Sequence, residues 1–83
     1  MPRHPNRYKN YLFDVGALIK ERALEARQQK ALERKGTKSY MYEAGRLMGF
    51  NEVISILQQE AQGFGIELSD LQLDDIEPDQ DLL

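Results

Sequence analysis

Cysteine is absent from this chain, which removes both a disulfide framework and a thiolate zinc site from the means of holding a small protein together. Histidine occurs once, as His4 beside Pro5, and the serines are Ser39, Ser55 and Ser69. None of these hydroxyls has a histidine at a predictable distance, so a nucleophile activated by a neighbouring base has no second member. Proline is confined to Pro2, Pro5 and Pro78, leaving residues 6–77 free of the strongest helix breaker. Long hydrophobic runs are missing as well. The longest near the N-terminus is residues 15–19, preceded by Asp14, against the roughly 20 apolar residues that a membrane span requires. The sequence is therefore expected to be a cytoplasmic, non-enzymatic protein that needs no cofactor and no metal and does not enter a membrane.

One further absence is positional. Arg46 is the last lysine or arginine in a chain of 83 residues. Residues 1–46 carry all 11 cations against five acids, a net of +6, whereas residues 47–83 carry nine acids and no cation, a net of −9. The overall −3 thus hides a strongly dipolar chain.

What is present is helical. Residues 8–35 are rich in Ala, Leu, Glu, Lys, Arg and Gln, and Tyr8, Leu12, Val15, Ile19, Ala23 and Ala26 fall on one face at steps of three or four. A first helix over about 7–35 is expected. Gly36 should stop it in a left-handed conformation, with Arg34 and Lys35 in the last turn, and Thr37 or Ser39 should cap a second helix over about 40–62. Within that helix Leu47, Phe50, Ile54, Leu57, Ala61 and Phe64 alternate steps of three and four, the spacing of a coiled-coil seam. Gly63 and Gly65 should end it. The connection is too short for anything but antiparallel neighbours. Gly45 and Gly49 form a small-xxx-small pair, expected to face the stretch containing Ala23, Ala26 and Ala31 across the hairpin.

The expected fold is all-α, with a helical hairpin over residues 1–66 and an acidic, partly disordered segment over 67–83 that includes a short helical turn. Ser69 and Gln72 have the spacing of a capping box, and Leu68, Leu71, Leu73 and Ile76 suffice to dock one or two turns. After Pro78 disorder is expected, so those residues should be removable at little cost. Asp75, Glu77, Asp79 and Asp81 alternate like calcium-loop ligands, but Gln80 stands where the loop requires glycine.

A single hairpin buries one stripe per helix. Val53 and Ile56 extend the apolar surface of the second helix beyond its seam, as do Phe13, Ala17 and Leu24 for the first. Pairing two hairpins into a dimeric four-helix bundle would cover the surplus. The expected function is a small interaction or regulatory protein that homodimerises and binds a protein partner. The alternative is nucleic-acid binding through a basic cap at the loop end, with Arg27, Lys30, Arg34, Lys35, Lys38 and Arg46 as candidate phosphate contacts and Tyr40 and Tyr42 as stacking groups. Against it stands the acidic tail, expected to emerge at the opposite end near Arg3, Arg7 and Lys9.

Overall fold

A computed structural model describes residues 6–83, so the expectations concerning Arg3 and His4 lie outside the described residues. Helix α1 spans Arg7–Leu32 and helix α2 spans Lys38–Gly63; a 3-10 turn at Leu68–Leu71 and a short helix α3 at Pro78–Asp81 follow. The two long helices pack against each other as the expected hairpin.

Local chemistry sets the ends of these elements. The Asn6 side chain accepts the Lys9 amide at 3.0 Å, capping α1. At its other end α1 stops three residues earlier than expected, because Glu33 turns extended while its N–H still reaches the Lys30 carbonyl at 3.2 Å, which tightens the last turn. Gly36 does adopt positive φ, +88°, but within the interhelical turn and not as the helix stop. Thr37 joins the two helices: its hydroxyl donates to the Arg34 carbonyl at 2.7 Å and accepts the Tyr40 amide at 3.2 Å, so α2 begins at Lys38. At the far end Gly65, with φ +71°, closes α2. The Ile66 N–H bonds back to the Ala61 carbonyl at 2.7 Å and the Gly65 N–H to that of Gln62 at 3.1 Å, the paired bonds of a Schellman motif.

The C-terminal segment departs from expectation. It reverses at Gly65, runs back along the hairpin and supplies Leu71, Leu73, Ile76 and Leu82 to a buried core whose other members are Ala23, Ala26, Leu47, Ile54 and Ala61. α1 gives that core only two alanines, and the volume they leave is filled by the returning segment. The expected disorder after Pro78 is thereby corrected, since Pro78–Asp81 is helical and Leu82 is fully buried. The Ser69–Gln72 capping box is also absent. The 3-10 turn begins after Glu67 without a side-chain cap, and Gln72 instead takes a left-handed conformation at φ +56° and donates its amide to the Phe13 carbonyl at 3.2 Å.

Polar side chains of the hairpin hold the segment in place. Gln58 donates to the Leu73 and Ile76 carbonyls, both at 3.0 Å, and Asn51 donates to the Pro78 carbonyl at 2.7 Å. The Lys20 ammonium meets Asp75 Oδ1 at 2.7 Å. Gly16 explains how closely the segment lies on α1, because a Cβ there would collide with the Leu71 carbonyl oxygen. The resulting molecule is elongated and thin, 49 × 29 × 16 Å, with a radius of gyration of 14.6 Å where a globular chain of this length would have about 12 Å. A layer this thin leaves part of each long helix in solvent.

Candidate interaction surfaces

The expected seam divides in three. Leu47, Ile54 and Ala61 are fully or nearly fully buried, Phe50 and Leu57 are half-buried against them, and Phe64 is 77% exposed. Phe64 leaves the seam because it lies just beyond the last helical residue, where the Schellman turn redirects the chain. The glycine pair is corrected too. A Cβ at Gly45 or Gly49 would meet nothing within 4 Å, so the pair faces solvent and not Ala23, Ala26 and Ala31.

At the loop end Arg27, Lys30, Lys35 and Tyr40 surround a groove of about 310 Å³, together with Glu33 and with Leu83 of the returning segment. Arg27, Arg34, Lys35 and Lys38 are exposed. The candidate stacking groups fare differently. The Lys30 ammonium sits 5.7 Å from the centre of the half-buried Tyr40 ring, a cation–π contact that occupies one face of that ring. Tyr42 is exposed. Arg46 is drawn onto its own helix, 3.2 Å from Glu43 Oε1 and 5.6 Å from the centre of the Phe50 ring, which leaves it no freedom to join the cap. The acids do not gather at the open end of the hairpin as expected. Asp75 lies beside Lys20 in mid-α1, Asp79 lies 3.4 Å from the Asn51 amide, and Asp81 accepts the Glu77 N–H at 2.8 Å. Its hydrogen bond to Lys20 holds the Asp75 carboxyl below the ordinary range.

Apolar side chains also stand in solvent on two further surfaces. At the open end of the hairpin Tyr8, Leu12, Ile66 and Leu71 line a cavity of about 300 Å³ with Asn6, Lys9 and Asp70, and Tyr11 and Phe64 stand exposed nearby in the chain. Along the outer side of α2, Met41, Tyr42, Met48, Val53 and Ile56 project around the two bare glycines. The surplus on α1 is reduced, since Leu24 packs against the core and Ala17 is half-buried, although Phe13 remains exposed.

Of the residues that clamp the returning segment, Lys20, Asn51 and Gln58 were not singled out from the sequence, and Gln72 was read only as half of a capping box. The available signal was the recurrence of Leu71, Leu73, Ile76 and Leu82 among acidic and amide residues, as in a docked strap. Comparison with models of known families, with characterised proteins and with solved structures yields no match. Among the described residues no helix is long and apolar enough to cross a membrane.

Proposed function

We propose that the chain is a small, non-enzymatic interaction protein that homodimerises, bringing four long helices together, and that binds a further protein through the open end of the hairpin. The observation that carries this reading is the set of large apolar side chains still in solvent after the returning segment has filled the core. Tyr8 and Phe64 are each 77% exposed at the same end as the Tyr8, Leu12 and Ile66 cavity. Aromatic side chains of this kind, apolar over most of their surface, are the groups that dominate protein interfaces. Nucleic-acid binding is the weaker reading, because Tyr40 is engaged by Lys30 and Arg46 by Glu43, which leaves four exposed cations and, of the two candidate stacking groups, Tyr42 exposed.

The test is affinity capture from cell extract with and without nuclease, comparing the wild-type chain with a Tyr8→Ser, Phe64→Ser double variant of matched helicity. A captured protein that resists nuclease and is lost from the variant is the expected result. Retention by the variant, or dependence on intact nucleic acid, would refute the reading.

A further inference from the structure

We infer that the outer face of α2 is the homodimer interface and that two copies meet there antiparallel, about a two-fold axis at Gly45. This deepens the homodimer reading above and rests on it. α2 has spent its other side on α1 and the returning segment, with Leu47, Ile54 and Ala61 buried there. Its outer side carries Met41 at 67% exposure and Met48 at 65%, with Ile56 also exposed, around two glycines whose missing side chains leave open space. The groove along this face is lined by Gly45, Met48, Gly49, Glu52 and Ile56. Unbranched, polarizable methionines beside bare backbone suit a close helix–helix approach, in which one helix's side chains enter the gaps of the other.

Charge decides the orientation and the register. Lys38 and Glu52 are exposed, and neither has an ion-pair partner in its own chain among the described residues. They lie seven residues to either side of Gly45, which at about 1.5 Å per residue places each about 10 Å from it along the axis. Successive residues turn by about 100°, so Lys38 and Glu52 sit within about 20° of the direction of Gly45, on either side of it. An antiparallel two-fold axis at Gly45 therefore sets each Lys38 against Glu52 of the second copy, twice per dimer. Gly45 meets its own symmetry mate. In the same register Met41 lies beside Met48 of the second copy, and Tyr42 covers the bare backbone of Gly49 of the second copy. A parallel pairing would oppose Lys38 to Lys38 and Glu52 to Glu52. Moving the antiparallel axis to the midpoint of the two glycines would oppose Lys38 to Ile56 and Tyr42 to Glu52. Of these three arrangements, the axis at Gly45 is the one that sets both Lys38 and Glu52 against an opposite charge.

The experiment is analytical ultracentrifugation of the full chain and four sets of variants at low salt. Lys38→Glu and Glu52→Lys, made singly, should each raise the dimer dissociation constant about tenfold or more, because like charges then face each other twice. The combined Lys38→Glu, Glu52→Lys chain should return to within about threefold of wild type, and the differences should shrink near 1 M salt, where the screening length is about 3 Å. Gly45→Leu should abolish the dimer while leaving helicity intact, since a Cβ at this position meets nothing within 4 Å in its own subunit. Gly45→Cys, the only thiol in the chain, should form a disulfide-linked dimer under oxidation, as its Cα atoms would lie within the roughly 4.4 to 6.8 Å that a disulfide allows. A dimer indifferent to Gly45→Leu and to the charge variants would overturn the interface and leave the homodimer reading standing. Single charge variants that weaken the dimer without rescue by the combined change would overturn the register. A wild-type chain that stays monomeric at every concentration would overturn both the interface and the homodimer reading.

Discussion

Gly16 and Gly45 show how one residue type can mean opposite things in two helices of the same hairpin. At Gly16 the returning segment lies against the backbone, and a methyl group would strike the Leu71 carbonyl; at Gly45 it would meet nothing within 4 Å in its own subunit. Gly16→Ala should therefore lower stability by about 1 to 3 kcal/mol, the range for overpacking, despite the roughly 1 kcal/mol that alanine gains over glycine in a helix. Thermal denaturation checks this, and a melting point at or above wild type would mean that the segment does not lie where it is described. Within the seam, truncating the fully buried Ile54 should cost about 2 to 5 kcal/mol for Ile54→Ala, whereas the half-buried Leu57 should fall at or below the lower end of that range. Urea titration of the two variants orders them.

Asp75 gives the residue scale a pH dependence. Its folded pKa is depressed by the Lys20 hydrogen bond, so its contribution to stability is fully present above the unfolded value and is lost as pH falls through the folded one. Denaturant midpoints measured between about pH 5 and pH 2 should fall more steeply for wild type than for Asp75→Asn, with the difference confined to the region below the ordinary aspartate range. Because the carboxylate is 68% exposed, the effect should be small.

At the scale of elements, the segment after Gly65 acts as a third structural layer along the hairpin, although it contains only two short helical turns. It contributes four of the nine core residues, and its carbonyls receive Gln58 and Asn51. Truncation before Pro78 removes the fully buried Leu82 together with the Asn51 bond. Such a chain should melt at least several degrees lower, given that about 1 kcal/mol shifts the midpoint by about 4 to 8 °C in a domain of this size. Circular dichroism during heating checks the expectation, and an unchanged midpoint would restore the picture of a dispensable tail. Gln58→Ala should cost less than the truncation yet more than a surface change, because two carbonyls lose their donor at once.

Across the whole molecule, the returning segment changes what the charge asymmetry does. An acidic tail leaving the open end of the hairpin would have made a basic cap and an acidic foot. Running back along the hairpin, it instead spreads its acids beside Lys20 and Asn51 and brings Leu83 to the groove of the cap. Four cations, Arg27, Arg34, Lys35 and Lys38, stay exposed around the loop. Titration with duplex and single-stranded oligonucleotides at about 50 and 200 mM salt should show weak binding at most, falling steeply between the two. Tight binding that persisted at the higher salt and vanished in an Arg34→Glu, Lys35→Glu variant would favour the nucleic-acid reading.

Much of the hairpin was legible in the sequence because its determinants are local. The three-and-four spacing of Leu47, Phe50, Ile54, Leu57 and Ala61, the cap at Thr37 and the left-handed glycines at positions 36 and 65 each act within a turn or two of chain. The returning segment was not legible, since its composition is that of a solvated tail and its docking depends on groups 15 to 59 residues away in sequence, among them Gln58, Lys20 and Phe13. Spacing alone also could not tell which glycines meet another backbone. A helix turns all its residues through the same angles, and what lies beyond each face is decided only when the chain has folded. The sequence by itself determined two capped helices, an antiparallel hairpin and the amphipathic stripe between them. The tertiary structure alone decided that the acidic segment closes the core in the same chain, filling the space beside Ala23 and Ala26, so that the large apolar side chains left in solvent include those on the outer face of α2 and at the open end of the hairpin.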